Sequence, residues 1–227
     1  MVSHSSSRFL ECCCTTLEEV IEAQKGGADR IELCERLDVG GVTPSVGLVR
    51  KVLEFCRIPV NILVRPRGGD FVFTPEEIQE MLHSIDELKE FGINGVVIGA
   101  LNPDGSVDIE TMRRLIAAAR PLPVTFHRAF DRCSDPLTAF GQIKALGCER
   151  LLTSGHEEDA LTGSPLIAEL VKRSEGSIKV MAGCGVRPSN IARLEAITHA
   201  PEYHSSSHGP DGTTSAETVS ELIHNTL

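Results

Sequence analysis

The chain has 227 residues, an apolar content of 41%, eight cysteines and a formal net charge of -10. That size and composition suit one large globular domain and lie within the range of an α/β barrel. The acidic balance argues against non-specific binding to nucleic acid or to an anionic membrane surface, which needs a basic face. No apolar run approaches the roughly 18 residues of a membrane-spanning helix.

Residues 1–8 are polar and serine-rich and lack the apolar core of a signal peptide, so they read as a short disordered extension before a single domain over residues 9–227. Cysteines without an export signal point to reduced thiols in a cytoplasmic protein. The absence of any CxxC pair argues against a structural zinc knuckle. Residues 9–14 then form a short apolar strand, and Thr15 and Thr16 open a helix over residues 17–25 that Gly26 and Gly27 terminate. Residues 30–33 form the next strand. The same succession of helix, glycine, short polar link and apolar strand recurs at Gly92 and Gly147. Thr74-Pro75-Glu76-Glu77 is a capping box with proline at the first helical position. Asp135-Pro136 and Ser164-Pro165 place a cap and a proline before amphipathic runs in the same way, and Pro188 marks a further helix start.

Strands are expected to begin near Phe9, Arg30, Val60, Gly95, Val124, Arg150, Lys179 and Tyr203. Eight alternating units with right-handed crossovers close most naturally into a (β/α)8 TIM-type barrel with a short, irregular eighth unit. An open doubly wound sheet is the alternative, but no GxGxxG follows the first strand.

In such a barrel, chemistry collects where strands end. The apolar run over residues 60–64 stops abruptly at Arg65-Pro66-Arg67-Gly68-Gly69-Asp70-Phe71, a charged and glycine-rich loop directly before a helix. Arg65 and Arg67 share parity, so an extended segment points both the same way, as a cationic wall for a carboxylate or phosphate. The competing reading makes them solvated loop arginines tied to Asp70. Parity likewise turns Glu11 and Cys13 of the first strand, Glu32 and Cys34 of the second, and His127 of the fifth towards the interior. Glu11, Glu32, Arg65 and His127 thus converge from four strands. Glu11 and Glu32 serve either as general base and orienter beside a proton-exchanging His127, or as structural salt-bridge partners of Arg65. Arg128, Ser154, Gly183, Gly185 and His204 join the ligand-binding candidates at the other strand ends. Gly183-Cys184-Gly185 reads either as a phosphate-binding turn or as a tight turn needing small residues. Cys12 and Cys14 face the helices as small hydrophobes, whereas two inward thiols, Cys13 and Cys34, suit a soft ion such as Cu(I).

Glu11-Cys12-Cys13, the run from Gly26 to Cys34, Gly41-Val42-Thr43-Pro44-Ser45, the run from Arg65 to Phe71, the run from Thr125 to Asp131, and Leu152-Thr153-Ser154-Gly155 together resemble the copper homeostasis protein CutC family. The resemblance implies a cytoplasmic TIM-type barrel, a dimer or tetramer, associated with copper tolerance. The family's proposed Cu(I) ligands correspond to Cys13 and Cys34. Two functions follow as expectations: Cu(I) binding through these thiolates, or an enzyme acting on a small anionic substrate. No organic cofactor is indicated.

Overall fold

The computed structural model describes residues 8–209 and 212–224. Eight strands, β1 (Phe9–Cys14), β2 (Arg30–Leu33), β3 (Val60–Leu63), β4 (Gly95–Ile98), β5 (Val124–Phe126), β6 (Arg150–Thr153), β7 (Lys179–Gly183) and β8 (Glu202–Ser205), alternate with eight helices. The helices are α1 (Leu17–Lys25), α2 (Val46–Phe55), α3 (Pro75–Lys89), α4 (Ile109–Ala119), α5 (Pro136–Ala145), α6 (Ser164–Ser174), α7 (Ile191–Thr198) and α8 (Ala216–His224). All strands pair in parallel in chain order, and β8 closes on β1, which gives the (β/α)8 barrel and excludes the open sheet.

The local signals act as their chemistry dictates. Thr16 accepts from the Glu19 amide at the head of α1, and Thr74 and Glu77 form the reciprocal capping box of α3. Asp135 caps α5 ahead of Pro136. Three boundaries differ from expectation. Ser164 is not a cap but the first residue of α6, with Gly163 before it and no side-chain cap bond. The chain after β7 runs through Pro188 without becoming helical, and α7 starts only at Ile191. β5 ends at Phe126, because His127 caps a 3-10 turn over Arg128–Arg132. The polar extension lies outside the described residues except for Arg8, which is buried and ion-paired to Glu195.

Side chains at alternate positions sort into two cores. Leu10, Cys12, Cys14, Ile31, Leu33, Ile62 and Phe126 pack outward under the helices. Inside the barrel the lower layers are polar. Arg30, Glu202 and Arg150 are all buried there. Arg30 bridges Glu11 and Glu202, and Arg150 donates from Nε to Glu202 at 2.9 Å. Glu202 also receives Lys179 Nζ at 3.3 Å. This ionic plug closes the barrel below the cavity at its mouth.

Candidate functional site

A cavity of about 460 Å³ opens at the C-terminal ends of the strands, a size suited to a small metabolite. Cys13, Glu32, Arg65, His127, Arg128, Gly185 and His204 line it, so β1, β2, β8 and the loops after β3, β5 and β7 all contribute.

Glu11 lies beneath this lining. Its register neighbours are Arg30 on β2 and His204 on β8. Arg30 donates to its Oε2, and His204 Nδ1 sits 2.9 Å from its Oε1. Burial pushes the Glu11 carboxyl up, but Arg30 and the bond with His204 outweigh it and hold the pKa at about 2. Glu11 is therefore an anion that orients His204. The structural salt bridge expected of it exists, but with Arg30 in place of Arg65. His204 has its pKa raised: burial opposes the imidazolium, and the charges of Glu32 and Glu11 favour it.

Glu32 has the contrary environment. It is 6% exposed, and its Oε2 has no hydrogen-bond partner among the described residues. Burial is the main cause of a pKa raised to about 7, with Glu11 adding to it and His204 opposing it. Two carboxyls on neighbouring strands thus hold opposite protonation preferences, the pattern that separates an acid–base group from a fixed anion.

His127 is buried and accepts the Ala129 amide on Nδ1 at 3.2 Å. An amide only donates, so the neutral ring carries its proton on Nε2, and that atom has no partner. Burial and the nearby Arg65 push its pKa down to about 3. Gly99 makes room for the ring, since a Cβ there meets His127 Nδ1 at 2.6 Å.

Arg65 lines the cavity, but its terminal nitrogens are engaged. Nη1 donates to the carbonyls of Gly41 (2.9 Å), Gly40 (3.1 Å) and Val39 (3.3 Å), and Nη2 to Gly69 (2.7 Å). It thereby pins the segment around the 3-10 turn Leu37–Val39 to the rim, and only Nε is left without a partner. Arg67 departs from the expected cationic wall. The strand ends at Leu63, Pro66 and the two glycines break the alternation, and Arg67 turns outward to Asp70 (2.9 Å) and Glu77 (2.6 Å). Arg67 and Asp70 do not line the cavity.

Ser154 is wholly buried and holds the turn after β5: Asp131 accepts from its amide and hydroxyl, and Arg128 bonds both Asp131 and Ser154. Gly183 lies under His204, where a Cβ meets His204 Cβ at 3.1 Å. The rim also carries two arginines that parity could not reach, Arg132 and Arg187, on loops beyond the strands. Both are exposed, and neither has an acidic partner among the described residues. The signal for Arg132 was its place at the end of a helical turn begun by His127; for Arg187, its place two residues after Gly185.

The thiols divide as well. Cys13 lines the cavity, whereas Cys34 is sealed behind it with 0% exposure, and their Sγ atoms are 3.6 Å apart. The bond with Cys34, then burial, raises the Cys13 thiol well above its ordinary value. Cys13, Glu32 and His204 offer donor atoms within 4.8 Å of one another, a mixed sulfur, oxygen and nitrogen set that can hold a soft or borderline metal ion.

Fold and site together define a (β/α)8 barrel whose mouth gathers titratable groups inside an arginine-bearing rim. The chain belongs to the CutC family, which it matches over residues 8–209. It is 51% identical over 200 residues to a family protein CutC of Parabacteroides distasonis, covering 88% of this chain and 82% of that one. It is 46% identical over 198 residues to the human copper homeostasis protein cutC homolog, covering 87% and 72%. The solved structure of CutC from Streptococcus agalactiae superposes with a TM-score of 0.83 at 32% identity, over 88% of this chain and 98% of that one. N-(5'-phosphoribosyl)anthranilate isomerase from Pyrococcus furiosus, at 16% identity and a TM-score of 0.61 over 95% and 96% of the two chains, shares the fold alone.

Proposed function

We propose that the barrel mouth is the active site of an enzyme that acts on a small anionic substrate by acid–base chemistry. One observation carries this reading. Glu32 Oε2, His127 Nε2 and Arg65 Nε are buried polar atoms without partners among the described residues, and all three side chains line one cavity. Leaving such an atom unpaired costs about 1–3 kcal/mol, so three such residues around one cavity mark a place made for a ligand's own polar atoms. Glu32 exchanges the proton, Glu11 orients His204 beside it, and Arg132 and Arg187 hold the anion at the rim. Inorganic phosphate or sulfate at a hundredfold excess over its Kd is expected to raise Tm by roughly 5–10 °C. The double variant Arg132→Ala, Arg187→Ala is expected to lose most of that shift while folding normally. No shift in the unaltered protein overturns the reading.

The Cys13–Cys34 separation favours a second role, Cu(I) binding within copper homeostasis. Thiolates are the ligands Cu(I) prefers, and His204 lies within reach of Cys13 as a third donor. Because the Cys13 thiol is held protonated, binding must release its proton, and affinity should climb with pH. Anaerobic Cu(I) titration should show a site that Cys13→Ser, Cys34→Ser loses and Cys148→Ser keeps. Equal binding by the two variants reduces the cysteines to adventitious ligands.

A further inference from the structure

The unpartnered atoms narrow the chemistry, on the basis of the small-anion reading above. His127 offers one N–H, its orientation fixed by the Ala129 amide. Arg65 offers one N–H, its terminal nitrogens being held by backbone carbonyls. Both side chains pack on the same ring: Phe71 lies 4.9 Å from the His127 centroid and 4.6 Å from the Arg65 guanidinium carbon. The result is a pair of donors held against one ring, with no acceptor among the described residues. Such a pair stabilises an oxygen on which negative charge develops. Glu32 Oε2, which lacks a donor, completes the set on the same cavity. The thiols of the lining are already engaged, Cys13 with Cys34 and Cys184 with the Glu158 carbonyl, which favours proton transfer over covalent attack by sulfur.

We infer that this cavity moves a proton at the carbon next to the carbonyl of a small hydroxycarbonyl compound that ends in a phosphate or carboxylate. Glu32 takes the proton, while His127 and Arg65 hold the carbonyl oxygen. The C–H bond breaks and its electron pair becomes the new C=C bond. The carbonyl π pair moves onto oxygen, where the two N–H groups receive it. Return of the proton to the same carbon regenerates the substrate. Return to the former carbonyl carbon, with the hydroxyl proton passing to the enolate oxygen, gives an isomer. Nothing is oxidised or reduced overall, and no co-reactant is needed. The anionic end lies outward, at Arg132 and Arg187, because these arginines, without acidic partners among the described residues, stand at the rim and the carboxyl stands on a strand.

The experiment is solvent exchange. Dihydroxyacetone phosphate and ribulose 5-phosphate on one arm, and hydroxypyruvate on the other, are incubated with the protein in D2O, and loss of the C–H signal beside the carbonyl is followed by proton NMR. The expected result is exchange at least tenfold above the protein-free rate on one arm, which also tells phosphate from carboxylate. Glu32→Gln, which mimics the protonated side chain and should fold, is expected to lower the rate by about a hundredfold or more. His127→Asn, which alters the oxygen-holding donor, provides an independent variant. Exchange that persists in Glu32→Gln overturns the assignment. Absence of exchange on both arms while phosphate still raises Tm overturns this inference and leaves the small-anion reading standing; absence of both effects removes the two together.

Discussion

Glu32 and Glu11 sit on adjacent strands and see the same histidine, yet burial wins at one and charge at the other. Arg30 is the difference: it donates directly to Glu11 and makes no hydrogen bond to Glu32. The consequence for stability has a definite sign. Glu32 binds its proton more tightly in the folded state, so its contribution is full below the ordinary value of 4.5 and is lost as pH rises through about 7. Glu11 works in reverse, with its contribution full above 4.5 and lost as pH falls through about 2. His127, held neutral, adds stability above 6.5 that is lost as pH falls towards 3. Glu32→Gln removes only the first of these effects. Its stability relative to the unaltered protein should therefore rise between pH 5 and pH 8, by at most about 3 kcal/mol at 1.36 kcal/mol per pKa unit. Urea unfolding at the two pH values measures it. An equal difference at both would mean that Glu32 is not a desolvated carboxyl.

At the level of elements, the barrel could be read from sequence because most units carry their own punctuation. Caps such as Thr16 and Thr74 and glycines such as Gly92 and Gly147 act through the local backbone, which sequence displays directly. Parity points Glu32 and Cys13 at the cavity wall, since strand alternation is rigid inside β1 and β2, whereas His127 lines the cavity from one residue beyond β5. The same rule misplaced Arg67, because alternation ends where the strand does, and a proline with two glycines ends it. It also could not foresee how far each inward residue sits along the barrel axis. Glu11 faces inward as expected, yet β1 carries it one layer too deep to line the cavity, opposite Arg30 and His204. Register between strands distant in sequence decides that depth, and no single strand contains it. Arg132 and Arg187 were invisible for a related reason: loop conformation, and not periodicity, brings them to the rim.

Across the whole molecule, the barrel divides into a sealed lower half that stabilises and an open upper half that binds. Arg30 belongs wholly to the lower half, with 4% exposure and with Glu11 and Glu202 both on its guanidinium. Removing one partner from a buried ionic group leaves uncompensated charge, at a typical cost of about 3–5 kcal/mol. Arg30→Met keeps the length of the side chain and deletes its charge. It should destabilise the protein by that amount, because Glu11 keeps only His204 and a long contact with Asn61. Arg150 and Lys179 still neutralise Glu202, so Glu11 is where the loss falls. Adding Glu11→Gln to Arg30→Met should then restore part of the stability. The Tm increment produced by phosphate should survive in Arg30→Met, since that residue does not line the cavity, whereas Arg132→Ala, Arg187→Ala should show the opposite pairing of intact stability and lost increment. Urea unfolding and thermal melts with and without phosphate read both quantities on the same samples. If Arg30→Met costs less than about 1 kcal/mol, or if it abolishes the phosphate increment while the barrel stays folded, the two halves are not separable and the ionic plug is part of the binding site.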